Sequence, residues 1–229
     1  NDWQANGEAR HVGVELLGAG QGLVLENVYI PAGGDIPDAA LNPAYDFKLR
    51  FVEEMTAWSK RLKKTGEPCI ILGDFNIAPF EHDVWSSKQL RNVVSHTEPE
   101  ITRLTALRES NDWCDVARHF VDHKEKLYSW WSYRNNDWKV SNRGRRLDHI
   151  WVTPALVASL SAYHTLPAAR DWAQPSDHVP PGHPPATKQA PVTYAPEATP
   201  DERDNQPPKP GLPHVPQPDP VKDEWSAKR

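Results

Sequence analysis

The pattern of apolar and polar positions predicts strands within the first thirty residues and a helix after them. Residues 10–17 and 22–30 are predicted to form two β-strands joined by a glycine-containing turn. Asn42 suits a helix N-cap, Pro43 suits a first turn, and Gly66 follows a basic last turn, so one long helix is predicted between them. Its apolar stripe consists of Phe47, Phe51, Met55, Trp58 and Leu62.

The middle of the chain mixes further strands and helices. Residues 69–72 are a continuous apolar run, typical of a strand buried on both faces, and a loop at 73–79 follows. The later predicted elements are helices around 85–94 and 101–110, strands at 127–133 and 147–153 with a basic connector at 134–146, a short helix from Pro154, and a strand at 162–166. Strands mixed with helices in 229 residues predict an α/β sandwich.

The pattern stops at Pro181. Residues 181–229 hold 13 of the 23 prolines of the chain and few large apolar residues. Such a segment buries too little surface to offset its ordering entropy. We therefore predict an ordered domain over 1–180 and a disordered or extended proline-rich tail over 181–229.

Charge and cysteine content limit the partners and the compartment. The net charge is −5 and the pI about 6.1, so binding to nucleic acid requires a local basic patch. Two cysteines do not make a disulfide framework, which favours a reducing, cytoplasmic compartment such as the bacterial cytosol. No apolar run approaches the roughly 18 residues of a membrane span, so no membrane partner is expected.

Two candidate polar groups directly follow the buried strand. Asp74 offers a carboxylate to a hard cation or for proton transfer. Asn76 can donate a hydrogen bond to a developing negative charge. An Asx-type turn after a strand is the structural alternative for this loop.

Three further candidates lie in the second half of the chain. Asp148 interrupts an apolar strand, so it is paired or functional if it points inward, and an ordinary polar position if it points outward. Asp177 and His178 together offer a carboxylate to a metal and an imidazole to a phosphate or a water. A surface loop is the alternative for this pair.

Aromatic residues supply the remaining candidates, one at the end of a predicted strand and others interleaved with basic residues. Tyr29 puts a phenol near the end of a predicted strand, where it can bond a phosphate or be an ordinary strand residue. Trp130 and Arg134, followed by Trp138, Lys139 and the arginines at 143, 145 and 146, suit stacking on bases or sugars with guanidinium groups on phosphates. A core strand followed by solvated charges is the alternative.

The order of these motifs is specific, although each is weak alone. The series N-x-Y-x-P, G-D-x-N, S-W-x-x-Y-R, R-x-L-D and S-D-H, within about residues 10–180, resembles the exonuclease III-type (AP endonuclease) nucleases of the endonuclease/exonuclease/phosphatase superfamily. The resemblance implies a four-layer α/β sandwich, with two packed mixed β-sheets flanked by helices. It also implies a Mg²⁺- or Mn²⁺-dependent phosphodiesterase of base excision repair, acting on duplex DNA with abasic or 3′-blocked sites.

The resemblance also assigns roles to residues. It implies that Asp74 activates or positions the attacking water, and that Asp148 orients His178, which binds the phosphate or the transition state. The implied catalytic residues are Tyr29, Asp74, Asn76, Asp148 and His178, the metal residues Asp74, Asn76, Asp177 and His178, and the DNA-binding residues Trp130, Arg134 and Arg143.

Two departures from the family pattern open alternatives. The family's N-terminal third, with a metal-binding glutamate, has no counterpart here, so the sandwich is expected to be incomplete at its N-terminus. Completion of the sandwich by another chain is an open alternative. The closing apolar strand is replaced by Pro181, Gly182 and His183, which we interpret as a frameshifted reading of that strand or as a docking segment. A catalytically impaired remnant that serves as a structural subunit is the alternative to the nuclease, and a different phosphodiester substrate ranks below both.

Overall fold

The computed structural model describes residues 8–18, 22–134 and 137–179, and the main chain of 181–182. The predicted glycine turn between the first two strands, and the tail beyond residue 182, lie outside these residues. The strands are β1 (His11–Leu16), β2 (Leu23–Val28), β3 (Cys69–Asp74), β4 (Cys114–Asp115), β5 (Asp148–Val152), β6 (His164–Thr165) and β7 (Pro181–Gly182). The α-helices are α1 (Pro43–Thr65), α2 (Ser87–Leu90), α3 (Glu98–Ser110), α4 (Val116–Phe120) and α5 (Trp138–Ser141).

Five strands form one mixed sheet in the order β1-β2-β3-β5-β4. β2 and β3 are parallel, which α1 makes possible as a crossover, and the other neighbours are antiparallel. β6 and β7 form a second, two-stranded antiparallel sheet. The predicted α/β class, with a mixed sheet and helices, is confirmed. The second sheet, which was predicted to be mixed as well, consists of two antiparallel strands in the described part of the chain.

Helix α1 provides most of the apolar layer against this sheet. Asn42 caps it by accepting a hydrogen bond from Ala44 N at 3.1 Å, and Gly66 ends it in the left-handed conformation with φ of 69°, as predicted. The main core cluster includes, from this helix and the strands, Phe51, Val52, Met55, Trp58, Leu62, Cys69, Ile71 and Trp151. Full burial of each large side chain contributes about 1.5–3 kcal/mol, so this layer is the main source of the sheet's stability.

A four-residue ion network is buried behind the sheet. Arg146 contacts Asp83 and Asp115 at 2.8 Å each, and its side chain is 0% exposed. Arg118 pairs with the same Asp83. Arg146 therefore belongs to the interior and not to the basic surface segment in which the sequence placed it, because two carboxylates compensate its charge there.

Several predicted elements differ from the observed ones. Residues 127–133 do not form a strand: only Trp130 makes bridges, to Arg145 and to His178. The helix predicted around 85–94 is only the four residues of α2, the short helix after Pro154 is a 3₁₀ helix (Pro154–Ser159), and the strand predicted at 162–166 is β6. Pro181 and Gly182, predicted as disordered or extended tail, are extended and pair with β6.

Strand β1 lies at the edge of the main sheet with one apolar face uncovered within the described residues. Val12, Val14 and Leu16 point to the same face and are 61%, 44% and 50% exposed. In a strand, three alternate apolar side chains at this exposure are unusual for a solvated surface. No helix among the described residues has the length and apolar character needed to cross a membrane.

Candidate active site

The register between β3 and β5 brings two carboxylates together. Asp74 and Asp148 are directly opposite one another in this antiparallel pair. Gly73, just before Asp74, has φ of +133°, and a Cβ there would lie 2.0 Å from the main-chain oxygen of Val28. Only glycine allows β2 to approach this closely, so the glycine of the G-D-x-N motif fixes where Asp74 leaves the sheet.

The loop after β3 holds Asp74 through Asn76. Asn76 has a left-handed main chain with φ of 53°, which asparagine tolerates better than most residues. Its main-chain N–H donates to Asp74 Oδ1 at 2.9 Å, as in an Asx turn. Its side-chain amide donates to Asp74 Oδ2 at 3.0 Å and to the Ile30 carbonyl at 2.9 Å. Because both amide hydrogens are engaged, Asn76 positions the Asp74 carboxylate in this conformation.

His178, which lies far from Asp74 in the sequence, completes the cluster. Its Nδ1 lies 2.8 Å from Asp148 Oδ2, a hydrogen bond that fixes the ring and its tautomer. Its Nε2 points toward Asp74, at 4.0 Å from Oδ2. An imidazole backed by one carboxylate and facing a second group is the arrangement of a catalytic acid–base pair.

Burial and neighbouring charges raise two pKa values here. Burial, followed by the charge of Asp148, raises the pKa of Asp74 to about 6. Burial disfavours the His178 imidazolium, but the hydrogen bond and charge of Asp148 outweigh it and raise the pKa of His178. The raised pKa brings the Asp74 carboxyl closer to the pH range in which it can exchange a proton, and the raised pKa of His178 favours its imidazolium form.

Within the described residues, one group of side chains has ligand atoms close enough to share a metal ion. Atoms of Asp74, Asp148 and His178 all lie within 4.8 Å of one another. Two carboxylates suit a hard divalent cation such as Mg²⁺ or Mn²⁺, whereas His178 is engaged with Asp148. The residues fit such an ion, and the group includes Asp148, for which the sequence analysis gave a catalytic role and no metal role.

Trp130 connects this cluster to Asp177. Its indole Nε1 donates to Asp177 Oδ2 at 3.0 Å, which fixes the orientation of the ring. Its main chain pairs with Arg145 on one side and bridges to His178 on the other. Asp177 therefore lies next to the cluster and fixes Trp130 by this hydrogen bond. Its predicted role in metal binding stays a prediction.

These side chains line one wide cleft with a volume of about 920 Å³. Of the nine predicted site residues, eight line it: Tyr29, Asp74, Asn76, Trp130, Arg134, Arg143, Asp177 and His178. The ninth, Asp148, shares a hydrogen bond with the Nδ1 atom of His178. The Tyr29 side chain is 49% exposed. The volume of the cleft is large enough for a nucleotide-sized ligand. The structure thus brings together all the predicted positions, while their individual roles stay predictions.

Three further residues belong to the site. Arg145 and Trp85 line the cleft, and the Arg143 guanidinium lies 4.8 Å from the centre of the Trp85 ring. Buried Lys48 donates to the main-chain oxygen of Asn76 at 2.8 Å. The basic segment that contains Arg145 was recognisable in the sequence. Lys48 lies on a helix among other charges, and nothing in the pattern separates it from a solvated lysine.

Comparison with known proteins agrees with this geometry. Residues 5–178 match the model of the endonuclease/exonuclease/phosphatase family. An exodeoxyribonuclease of Bacillus subtilis (strain 168) is 31% identical over 111 residues, which cover 48% of this chain and 43% of that protein. A DNA-(apurinic or apyrimidinic site) endonuclease of Dictyostelium discoideum is 31% identical over 159 residues, 68% of this chain and 41% of that protein.

Solved structures show the same likeness. An AP endonuclease of Archaeoglobus fulgidus has a TM-score of 0.62 and 28% identity, covering 69% of this chain and 60% of the other. A 3′-5′ exonuclease of Neisseria meningitidis, with a TM-score of 0.68, 24% identity and coverage of 77% and 65%, supports the fold alone. The chain spans about half the length of the curated relatives it matches. The matched residues, the fold and the cluster at the cleft agree: the chain belongs to the endonuclease/exonuclease/phosphatase family, as a member of the exonuclease III type.

Proposed function

We propose that this protein hydrolyses phosphodiester bonds in duplex DNA, at abasic sites and at blocked 3′ ends, with a divalent metal ion. The observation that carries the proposal is the Asp148–His178 pair facing Asp74 in a cleft lined by three arginines and Trp130. The names of the relatives, an exodeoxyribonuclease and a DNA-(apurinic or apyrimidinic site) endonuclease, support the same substrate class.

Each side chain of the cluster has its own role in the proposed hydrolysis. Asp74, with its pKa near 6, accepts a proton from the attacking water at neutral pH. His178, whose imidazolium form Asp148 favours, donates a hydrogen bond from Nε2 to a phosphate oxygen as negative charge develops there. Asp74 and Asp148 would hold Mg²⁺ or Mn²⁺, which when bound supplies charge neutralisation for the phosphate and a lowered pKa for water.

The arginines and aromatic side chains orient the DNA. Arg134 and Arg143 are exposed at the cleft and meet the phosphates of the strand. Trp130, with its ring fixed by Asp177, presents an apolar face for the sugar next to the scissile phosphate. Because the net charge is −5, attraction to DNA comes from local basic patches such as this one, so binding weakens with salt.

A cleavage assay tests the proposal. The purified chain is incubated with a labelled duplex that carries one abasic site, in Mg²⁺, in Mn²⁺ and in EDTA. We expect cleavage in either metal and none in EDTA, with a loss of 10²-fold or more for Asp74→Asn, as typical for a catalytic proton acceptor. Asp112→Asn is the matched control, because the Asp112 side chain is 66% exposed and does not line the cleft. Metal-independent cleavage, or equal rates for the two variants, would contradict the proposal.

A second candidate is a non-catalytic subunit in which another chain covers β1. The exposed face of Val12, Val14 and Leu16 favours it. In this case the folded chain cleaves nothing and self-associates or recruits a completing segment, and Val14→Lys lowers the associated fraction in light scattering. Leu41→Lys is the control, since Leu41 is 73% exposed and lies elsewhere. A monomer in both variants, with active cleavage, argues against this candidate.

A further inference from the structure

The main chain before His178 is held at three consecutive carbonyl groups. The first and the third accept hydrogen bonds from residues 131–133, at 2.7 and 3.0 Å. The middle one, the Ser176 carbonyl, accepts from Nη1 of Arg170 at 2.6 Å. Arg170 lies on the 3₁₀ helix Pro167–Asp171, so this donor comes from a different segment of the chain. The position of the His178 main chain therefore depends on two separate segments.

Two aromatic rings hold the Arg170 guanidinium in place. Its carbon lies 5.2 Å from the centre of the Tyr133 ring and 5.3 Å from that of the Trp138 ring, both cation–π distances. These rings belong to residues 130–143, several of which line the cleft. The guanidinium thus connects a segment that lines the cleft to the loop that carries His178.

Packing alone does not favour a guanidinium in this place. Arg170 is 6% exposed, and its Nε is buried without a hydrogen-bond acceptor among the described residues. Three other buried cations each pair with a buried carboxylate: Lys48, Arg118 and Arg146. Within the described part of the chain no carboxylate forms an ion pair with Arg170, and the neighbouring Asp171 pairs with Lys139 instead. A buried cation without a carboxylate lowers stability, so its position is better explained by the carbonyl that it holds.

We propose that Arg170 is a positioning residue for His178 in the hydrolysis of phosphodiester bonds. By holding the Ser176 carbonyl, it keeps the His178 ring where Nδ1 bonds Asp148 and the ring lines the cleft. A planar guanidinium suits this role, because it can lie against aromatic rings while its N–H groups point outward in its own plane. The inference rests on the proposed function and adds to it a residue outside the described lining of the cleft.

Steady-state cleavage of the abasic duplex separates positioning from DNA binding. Arg170→Gln should lower kcat by roughly tenfold or more and leave KM within about threefold, because a displacement of about 1 Å can cost about 10²-fold in rate. Arg170→Lys keeps the charge but not the planar fork, so it should retain part of kcat. Asp171→Asn is the matched control, since it removes an exposed ion pair from the same 3₁₀ helix and should leave both constants unchanged.

Nitrogen-15 NMR of the imidazole gives a second result that does not require activity. At one fixed pH, the chemical shift of the His178 Nδ1 atom reports its hydrogen bond with Asp148. We expect Arg170→Gln to move this shift toward the value in Asp148→Asn, and Asp171→Asn to leave it in place. Thermal melts verify that each variant is folded at the temperature of the measurement.

The outcomes separate the positioning role from the proposed function. An unchanged Nδ1 shift in folded Arg170→Gln would overturn the positioning role, and so would a change in KM without a change in kcat. Failure of Arg170→Gln to fold, together with full kcat in Arg170→Lys, would make the residue structural and overturn the role as well. Absence of cleavage by the unmodified chain would overturn the proposed function, and the Nδ1 shift would still decide whether Arg170 positions His178.

Discussion

Replacing Lys48 with methionine removes the cation of a fully buried ion pair beside the candidate site. Lys48 Nζ lies 2.5 Å from Glu100 Oε1, and both side chains are 0% exposed. The same Nζ donates to the main-chain oxygens of Ala32 and Asn76 at 3.2 and 2.8 Å. One ammonium group therefore connects the loop before α1 and the loop after β3 to a carboxylate on α3.

The expected loss of stability follows from the buried Glu100 carboxylate, which the substitution leaves without its cation. A buried charge without its partner costs about 3–5 kcal/mol, so Lys48→Met should lower the free energy of unfolding by that amount. Glu100 accepts hydrogen bonds from the N–H groups of Ser95 and Thr97, which softens the loss but does not neutralise the charge. Adding Glu100→Gln removes the charge and keeps a carbonyl acceptor, so the double variant should recover about 2 kcal/mol.

Urea denaturation followed by circular dichroism measures these stabilities. Lys63→Met is the matched control, since its pair with Asp112 is exposed by 50% and 66% and should contribute less than about 1 kcal/mol. Cleavage should not recover in the double variant, because the Asn76 carbonyl still lacks its donor, and amides of residues 73–78 should exchange faster with deuterium. A cost below 1 kcal/mol for Lys48→Met, or activity that returns together with stability, would refute this reasoning.

Three further perturbations have outcomes that the structure specifies. Buried His149 has its pKa lowered from 6.5 to about 4 by burial, then by the charge of Arg146, so the unfolded chain binds its proton more readily. Stability in EDTA should therefore fall by up to about 3 kcal/mol as the pH decreases from about 6.5 to 4, and the fall should shrink in His149→Phe. Asp148→Asn should lower the pKa of His178, measured by NMR titration, and reduce kcat by about 10²–10⁴-fold, and an unchanged titration would contradict the pairing. Gly73→Ala should unfold or severely destabilise the chain in a thermal melt, because its Cβ would meet a main-chain oxygen at 2.0 Å, whereas Gly18→Ala, with nothing within 4 Å, should melt normally.

Local signals in the sequence were sufficient for α1 and for the site loop. The Asn42 cap, the Gly66 stop and the apolar spacing define the helix because each acts within a few residues. The apolar run before Asp74 likewise placed this carboxylate at the end of a buried strand. The convergence of Asp74, Asp148 and His178 was predictable only from the order of motifs, since the pattern of one segment does not specify its partner.

Residues 127–133 show why other predictions failed. Their aromatic composition suits a strand, but Ser129 Oγ accepts the N–H groups of Leu147 and Asp148 at 3.0 and 2.9 Å. A side chain thus takes the place of a strand partner, which propensity does not reveal. The ion pairs of Arg146 and Lys48 join segments 31 to 63 residues apart, so the sequence gives no reason to place these charges inside.

Because Asp74 pairs with Asp148 across two strands, the site depends on the number of residues in these strands as well as on the identity of its side chains. Side chains alternate between the faces of a strand, so losing or gaining one residue within β5 would turn Asp148 toward the opposite side of the sheet. His178 would then lose its carboxylate partner. A chain that keeps every catalytic residue would thus become inactive through a single-codon deletion in β5. A screen of single-codon deletions would therefore identify the strand positions whose register the site requires.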